Sequence, residues 1–331
     1  MIKVAINGFG RIGRLAFRRI LTTTDFDLVA INDLGTPSDL AYLAKYDTTH
    51  RSFHEELIES EGSNIVINGI KKIQVLNETD PTKLPWKELN IDLVLECTGK
   101  FTKYEDAYKH IEAGAKKVLI SAPSKSDNVK TVVYNVNESI LDGTEEIVSA
   151  ASCTTNCLAP LAKVLNDTIG IERGYMSTIH AYTNDQATLD VAHKKGIASR
   201  RGRACAANIV PTSTGAASTI GKVIPELNGL LEGLAYRVPV TDGSLVELTF
   251  IPKRVTSIDE INHLIEENTS DTLKITYDPI VSSDIIGKSV GALVDGLLTS
   301  VNDNLVKVTA WYDNEYGYTC QMLRTAKSMF K

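Results

Sequence analysis

The 331-residue sequence predicts two domains: a doubly wound α/β domain on a parallel sheet, then an α+β domain on a mostly antiparallel sheet. Three observations carry this. Up to about residue 150, short apolar runs alternate with helical patterns, the order that a parallel sheet with helices on both faces requires. A glycine-rich turn joins the first apolar run to the first helix. Beyond it, long strand-like runs dominate and helices are few. The length suits about two domains at roughly 100–200 residues each. Hydrophobic residues are 43% and charged residues 23%, so the chain can bury a sizeable core without staples.

In the first half, Ile2–Asn7 is an apolar run that meets Gly8-Phe9-Gly10-Arg11-Ile12-Gly13, then a helical pattern through Leu21. Asp27–Asn32 is a second run, ending at Asp33. Asn64–Ile67 and Ile70–Ile73 flank Asn68-Gly69, a strong hairpin signal, because a type I′ turn needs positive φ at both positions. Ile91–Cys97 and Lys117–Ser121 read as strands. The helix between them is opened by a Thr102/Glu105 capping box and stopped at Gly114. In the second half, Ser152 opens a long helix whose Leu158, Leu161, Ala162, Leu165 and Ile169 repeat at helical spacing, with Gly170 as stop. Gly174–Tyr182, Gly233–Val240, Leu245–Ile251 and Asn304–Tyr312 read as strands. A helix over Ser257–Asn268 interrupts them, with Ser257 and Glu260 as its capping box.

The formal net charge is −6 and the pI about 5.6, which argues against a general nucleic-acid or membrane-surface binder. No window approaches the roughly 18 apolar residues of a membrane span, and the N-terminus lacks a signal peptide's apolar core. The five cysteines (97, 153, 157, 205 and 320) are odd in number and sparse. They form no disulfide framework, and a reducing cytoplasm is the expected compartment.

Gly-x-Gly-x-x-Gly is a weak signal alone. Here it follows a strand, opens a helix, and precedes Asp33 by about twenty residues, which is the Rossmann dinucleotide fingerprint. Gly8 permits the tight turn, Gly10 lets backbone approach a pyrophosphate, and Gly13 allows close helix–strand packing. The helix start offers amide donors and a positive dipole. Asp33, at the end of the second strand, can accept from both ribose hydroxyls and would repel a 2′-phosphate. NAD is therefore expected over NADP.

Cys153, in Ser152-Cys153-Thr154-Thr155-Asn156-Cys157, stands in the first turn of a helix, where unpaired amides and the dipole favour thiolate. Cys157, one turn on, faces the core with Leu161 and reads as packing. No second Cys/His pair with ligand spacing exists, so no metal site is expected. His180 lies in an apolar strand that ends in Thr183-Asn184-Asp185. Beside a helix-start cysteine, a thiolate–imidazolium pair is the better reading than a core histidine. His193 reads as solvated surface, and His50, His54, His110 and His263 receive no role. Arg237 is a charge inside an otherwise apolar strand, which demands a partner. Thr214-Gly215 precedes a small-residue helix start, a further anion site. The basic residues Lys194, Lys195, Arg200, Arg201 and Arg203 have no aromatic platform among them, so nucleic acid ranks low.

The chain resembles the phosphorylating glyceraldehyde-3-phosphate dehydrogenases over essentially its full length. The carrying segments are Ile6-Asn7-Gly8-Phe9-Gly10-Arg11-Ile12-Gly13-Arg14, Ile31-Asn32-Asp33, Ala151–Cys157, Thr212-Ser213-Thr214-Gly215-Ala216-Ala217 and Trp311-Tyr312-Asp313-Asn314-Glu315-Tyr316-Gly317-Tyr318. The resemblance implies a homotetramer and a subunit whose NAD domain comprises 1–151 and 315–331, the catalytic domain being 152–314. It implies that Cys153 attacks the aldehyde and that His180 acts as base. Hydride then passes to NAD, and inorganic phosphate cleaves the resulting thioester. It places Thr183 and Arg237 at the substrate's C3 phosphate. Ser152, Thr154, Arg201, Thr214 and Gly215 fall around the attacking phosphate. Arg11 and Ile12 fall at the pyrophosphate, Ser121 and Tyr318 near the nicotinamide, and Asn314 at its carboxamide.

Thr79 stands where many members carry a basic residue near the adenine, and Ala192 where NAD-dependent bacterial members often have proline. Leu34 matches the NAD-preferring pattern. Two alternatives compete: an erythrose-4-phosphate dehydrogenase, which releases an acid, and a non-catalytic NAD-binding or adhesion protein. The phosphate-side residues argue against the first, and intact Cys153 and His180 against the second.

Overall fold

The computed structural model describes residues 1–194, 196 and 198–330, so Lys195 of the basic cluster, Ile197 of the neighbouring loop, and Lys331 lie outside the described residues. The chain divides into two compact units: 1–132 with 138–151 and 322–331, and 133–137 with 152–321.

The first unit contains β1 (Ile2–Asn7), α1 (Arg11–Ile20), β2 (Phe26–Asn32), α2 (Pro37–Lys45), β3 (Ile58–Glu61), β4 (Asn64–Ile67), β5 (Lys71–Leu76), β6 (Leu93–Glu96), α3 (Tyr104–Glu112), β7 (Lys117–Ile120), β8 (Lys130–Thr131) and β9 (Ile147–Ser149). They make a nine-stranded sheet in the order β3-β4-β5-β2-β1-β6-β7-β9-β8. β1 lies between β2 and β6, parallel to both, and Val4, Ala5 and Ile6 are wholly buried, as a strand covered on both faces must be. The order reverses beside β1, the switch point where a crevice opens at the strand C-termini. In the β4–β5 hairpin Asn68 and Gly69 have φ of 53° and 65°, as expected. Ile70 belongs to the turn and is exposed.

The predicted capping box at Thr102 does not form. α3 starts at Tyr104 with Lys103 as an N-cap lacking any side-chain bond, and the Tyr104 N–H is taken instead by Ser126 Oγ at 3.0 Å. A residue distant in sequence displaced the local cap. Gly114, at φ 101°, ends the helix as expected.

The second unit contains α4 (Cys153–Thr168), β10 (Ile171–Ala181), β11 (Val210–Ser213), α5 (Ala216–Val223), β12 (Leu231–Val238), β13 (Ser244–Pro252), α6 (Ile258–Glu267), β14 (Leu273–Thr276), β15 (Ala292–Asp295), β16 (Ser300–Asn302), β17 (Leu305–Tyr312) and the start of α7 (Tyr316–Ser328). Its sheet runs β11-β12-β10-β13-β17-β15-β14, with β16 on β17. The expected antiparallel character holds for most pairs, but β10 pairs β12 in parallel, and β14 pairs β15 likewise. α4 buries Leu158, Leu161, Ala162 and Leu165 against α5, α6 and β17. Ser257 caps α6 through Glu260 N–H at 3.2 Å, but the Glu260 side chain bonds Thr256, so half of that box forms.

Candidate active site

α4 begins at Cys153 because Ser152 caps it: Ser152 Oγ accepts the Thr155 N–H at 3.1 Å. Ala151, just before, is left-handed at φ 58°, a cost of order 1–3 kcal/mol for a non-glycine residue that persists only where the surroundings over-determine it. The half-buried Cys153 thus stands in the first turn of the helix. On β10 the buried His180 brings Nε2 to 3.4 Å from Cys153 Sγ. Its Nδ1–H donates to the Ala181 carbonyl at 2.6 Å, which leaves the Nε2 lone pair facing the sulfur.

The surroundings of the expected thiolate–imidazolium pair act on both groups. Burial pushes the Cys153 thiol up, outweighing the Arg237 guanidinium and the Thr154 hydroxyl and N–H, which lower it. Burial and then the Arg237 charge push His180 down to about 3. His180 Nε2 is placed to take the Cys153 proton, as a general base requires.

The parallel register sets Arg237 opposite His180. Its Nη1 donates to Ala181 O at 3.0 Å and to Thr183 Oγ1 at 2.9 Å, while its Nε is buried with no partner. A desolvated cation with an unused donor costs free energy until an anion meets it. Arg201 lies along β11: Nε donates to Thr212 Oγ1 at 2.9 Å, Nη2 to Ser213 O at 3.3 Å, and Nη1 to Asp185. It is therefore beside Thr214-Gly215, which opens α5, and a Cβ on Gly215 would meet nothing within 4 Å. Ser152 and Thr154 are less free than expected. The Ser152 hydroxyl is engaged with Thr155, and the buried Thr154 hydroxyl lies 3.0 Å from Tyr312 Oη.

In the first unit, Gly13 must be glycine, since a Cβ would lie 2.1 Å from Gly8 O. Gly8, at φ 93°, abuts Thr98, whereas nothing stands near a Cβ on Gly10. α1 has no side-chain cap and no acidic residue in its first turn, so its N-terminus suits a pyrophosphate. Asp33 accepts from Phe9 N–H at 2.7 Å and Gly35 N–H at 3.1 Å, tying the glycine turn to the end of β2. The Arg11 side chain pairs with Asp47, so what it offers a pyrophosphate is backbone. Thr79 is exposed in the loop after β5, next to β2, and Ser121 follows β7. In the second unit Asn314 Oδ1 accepts from Ser244 Oγ at 2.6 Å, which turns its Nδ2 away from that serine, and Tyr318 is buried on α7.

The family model of the glyceraldehyde 3-phosphate dehydrogenase NAD binding domain matches residues 2–104, and that of the C-terminal domain of the same enzyme residues 152–314. The chain belongs to the glyceraldehyde-3-phosphate dehydrogenase family. The dehydrogenase of Clostridium pasteurianum is 55% identical over 335 residues, covering all of this chain and 99% of the relative. That of Clostridium acetobutylicum is 55% identical over 98% of this chain and 97% of the relative, and that of Streptococcus pyogenes 53% over 100% and 99%. The cofactor is NAD, as the matched domain states, and the glycine turn, the open helix start and Asp33 fit it.

Against this family background, the sequence reading missed three residues. Tyr312 Oη bridges Thr154 and Thr178, 2.8 Å from Thr178 Oγ1, with its ring edge-on to His180. Ser244 links Asn314 to the Ala181 N–H at 3.0 Å. Asp185 holds both Thr183 and Arg201. Apart from the local Thr183–Asp185 bond, only pairing between residues distant in sequence brings these together, so no spacing announced them. Cys157 is buried packing, 3.8 Å from Ala310 O, as read. His193 is half-buried rather than solvated, while Lys194, Arg200 and Arg203 are exposed.

Proposed function

We propose that this NAD-dependent oxidoreductase converts glyceraldehyde 3-phosphate and inorganic phosphate to the acyl phosphate through a covalent Cys153 intermediate. The observation that carries the mechanism is the thiol 3.4 Å from an imidazole whose tautomer is already set. Sγ attacks the aldehyde carbon as its proton passes to His180 Nε2. His180 returns that proton to the oxyanion, completing the thiohemiacetal. It removes the hydroxyl proton again as the C–H hydride departs, leaving a thioester. NAD, when bound, supplies the hydride acceptor. Arg237 and Thr183 orient the substrate through its C3 phosphate. Arg201, Thr214 and Gly215, with Ser152 and Thr154 at the start of α4, hold the phosphate that displaces sulfur. For Ser152 and Thr154 this requires their hydroxyls to turn from Thr155 and Tyr312.

Gly8, Gly10, Arg11, Ile12, Gly13, Asp33, Thr79 and Ser121 are the cofactor residues of the NAD-binding half in this reading, with Asn314 and Tyr318 at the nicotinamide. A homotetramer working in the cytoplasm completes it. The exposed apolar Tyr175 and Leu234 on adjacent strands support association, and no helix among the described residues is long and apolar enough to cross a membrane. The test is NADH formation from glyceraldehyde 3-phosphate with and without inorganic phosphate. Sustained turnover with phosphate, and at most one NADH per active subunit without it, is expected. Rapid phosphate-independent turnover to free acid would replace this reading with the erythrose-4-phosphate type.

A further inference from the structure

Asp185 occupies an unusual place. Thr183 Oγ1 donates its proton to Asp185 Oδ1 at 2.5 Å, and Arg201 Nη1 pairs with Oδ2. The Thr183 oxygen in turn accepts from Arg237 Nη1 at 2.9 Å. One carboxylate therefore engages donors of both groups that the proposed function assigns to phosphates. Neither group needs Asp185 to stay in place. Arg201 keeps Thr212 Oγ1 and Ser213 O, and Thr183 keeps Arg237. What Asp185 alone adds is a negative charge and an acceptor on the donors that an incoming anion uses. Its side chain is 43% exposed, so it can swing into water at small cost. Burial opposes its ionisation, but the Thr183 hydroxyl and the two guanidinium groups hold its carboxyl below the usual range.

We infer that Asp185 is a resident stand-in for phosphate: its two oxygens occupy the Thr183 and Arg201 donors when no anion is bound, and either phosphate must displace it. It keeps two close cationic donors neutralised and oriented between turnovers. It also weakens the hold on both dianions, which favours release of a doubly phosphorylated product. This rests on the assignment of the two anion sites.

The test compares the NAD-loaded wild type with Asp185→Asn, Asp185→Glu and Asp190→Asn. Asp190 is a neighbouring exposed carboxylate paired with Arg203. Steady-state kinetics give the KM for glyceraldehyde 3-phosphate and for inorganic phosphate, and calorimetry gives the affinity for glycerol 3-phosphate as an unreactive probe. Asp185→Asn is expected to lower both KM values and tighten the probe roughly fivefold, the effect of one unit charge about 4 Å away at the dielectric of water. Asp185→Glu should stay near wild type, and Asp190→Asn should change nothing. A raised KM in Asp185→Asn, an unchanged one, or an equal effect from Asp190→Asn overturns the inference. Arg237→Ala and Arg201→Ala separate the two levels. If neither weakens an anion, the site assignment itself has failed. If each weakens its own anion while Asp185→Asn does nothing, only the stand-in has failed.

Discussion

Replacing His180 by Asn removes the base while keeping a polar side chain of similar reach. In the wild type Nε2 lies 3.4 Å from Cys153 Sγ and Nδ1 is tied to Ala181 O. Positioned general base catalysis is worth about 10²–10⁴-fold, so kcat/KM for the aldehyde should fall by that factor, about 3–5 kcal/mol of barrier. The same substitution has a second signature. His180 titrates at about 3 in the fold, against 6.5 in the unfolded chain. Between those values the unfolded state binds the additional proton, so stability is full above pH 6.5 and is lost as the pH falls towards 3. At complete protonation the loss between those two values is of order 5 kcal/mol. His180→Asn should therefore lose less stability than the wild type between pH 6.5 and 4. Initial-rate NADH absorbance and denaturant unfolding across pH provide the measurements. A rate within tenfold of wild type, or an acid stability loss identical in both proteins, would refute the argument.

Cys153→Ser is expected to abolish turnover while NAD still binds, because an alcohol is a far weaker nucleophile at neutral pH; alkylation mass mapping on the wild type should find Cys153 ahead of the other cysteines. Arg237→Ala should raise the KM for aldehyde more than that for phosphate, since its buried Nε and its Thr183 bond serve the C3 phosphate side; a KM split in the other direction would exchange the two sites. Asp33→Ala should weaken NAD and relax rejection of NADP by at least about 1 kcal/mol, the repulsion of two unit charges ~4 Å apart in water, read as the ratio of kcat/KM for the two cofactors. Glu96→Ala should destabilise the protein by about 3–5 kcal/mol in denaturant unfolding. Its buried carboxyl oxygens accept from Asn7 Nδ2, Thr98 N–H and Oγ1 and, at 3.2 Å, His110 Nε2.

The sequence alone determined what depends on neighbours along the chain. The glycine turn follows from steric needs at Gly8 and Gly13, and both are met, the latter against Gly8 O. The positive φ of Asn68 and Gly69 follows from hairpin geometry, and the N-cap of Ser152 from the orphan amides of a helix start. Cys153 and His180 were legible as a pair through their residue types and places. Tertiary structure alone decided what depends on distant partners. Ser126 capped α3 where a local box was expected, because any nearby acceptor satisfies an orphan N–H. The parallel pairing of β10 with β12 set Arg237 beside His180, and strand order is not written in strand periodicity. Burial acts on the catalytic pair in a way no local pattern shows: a helix start favours thiolate locally, while desolvation, a property of the whole fold, opposes both ions. Asp185, polar and exposed just past a strand's end, acquired Arg201 as a partner only when Arg201 docked on Thr212 of β11.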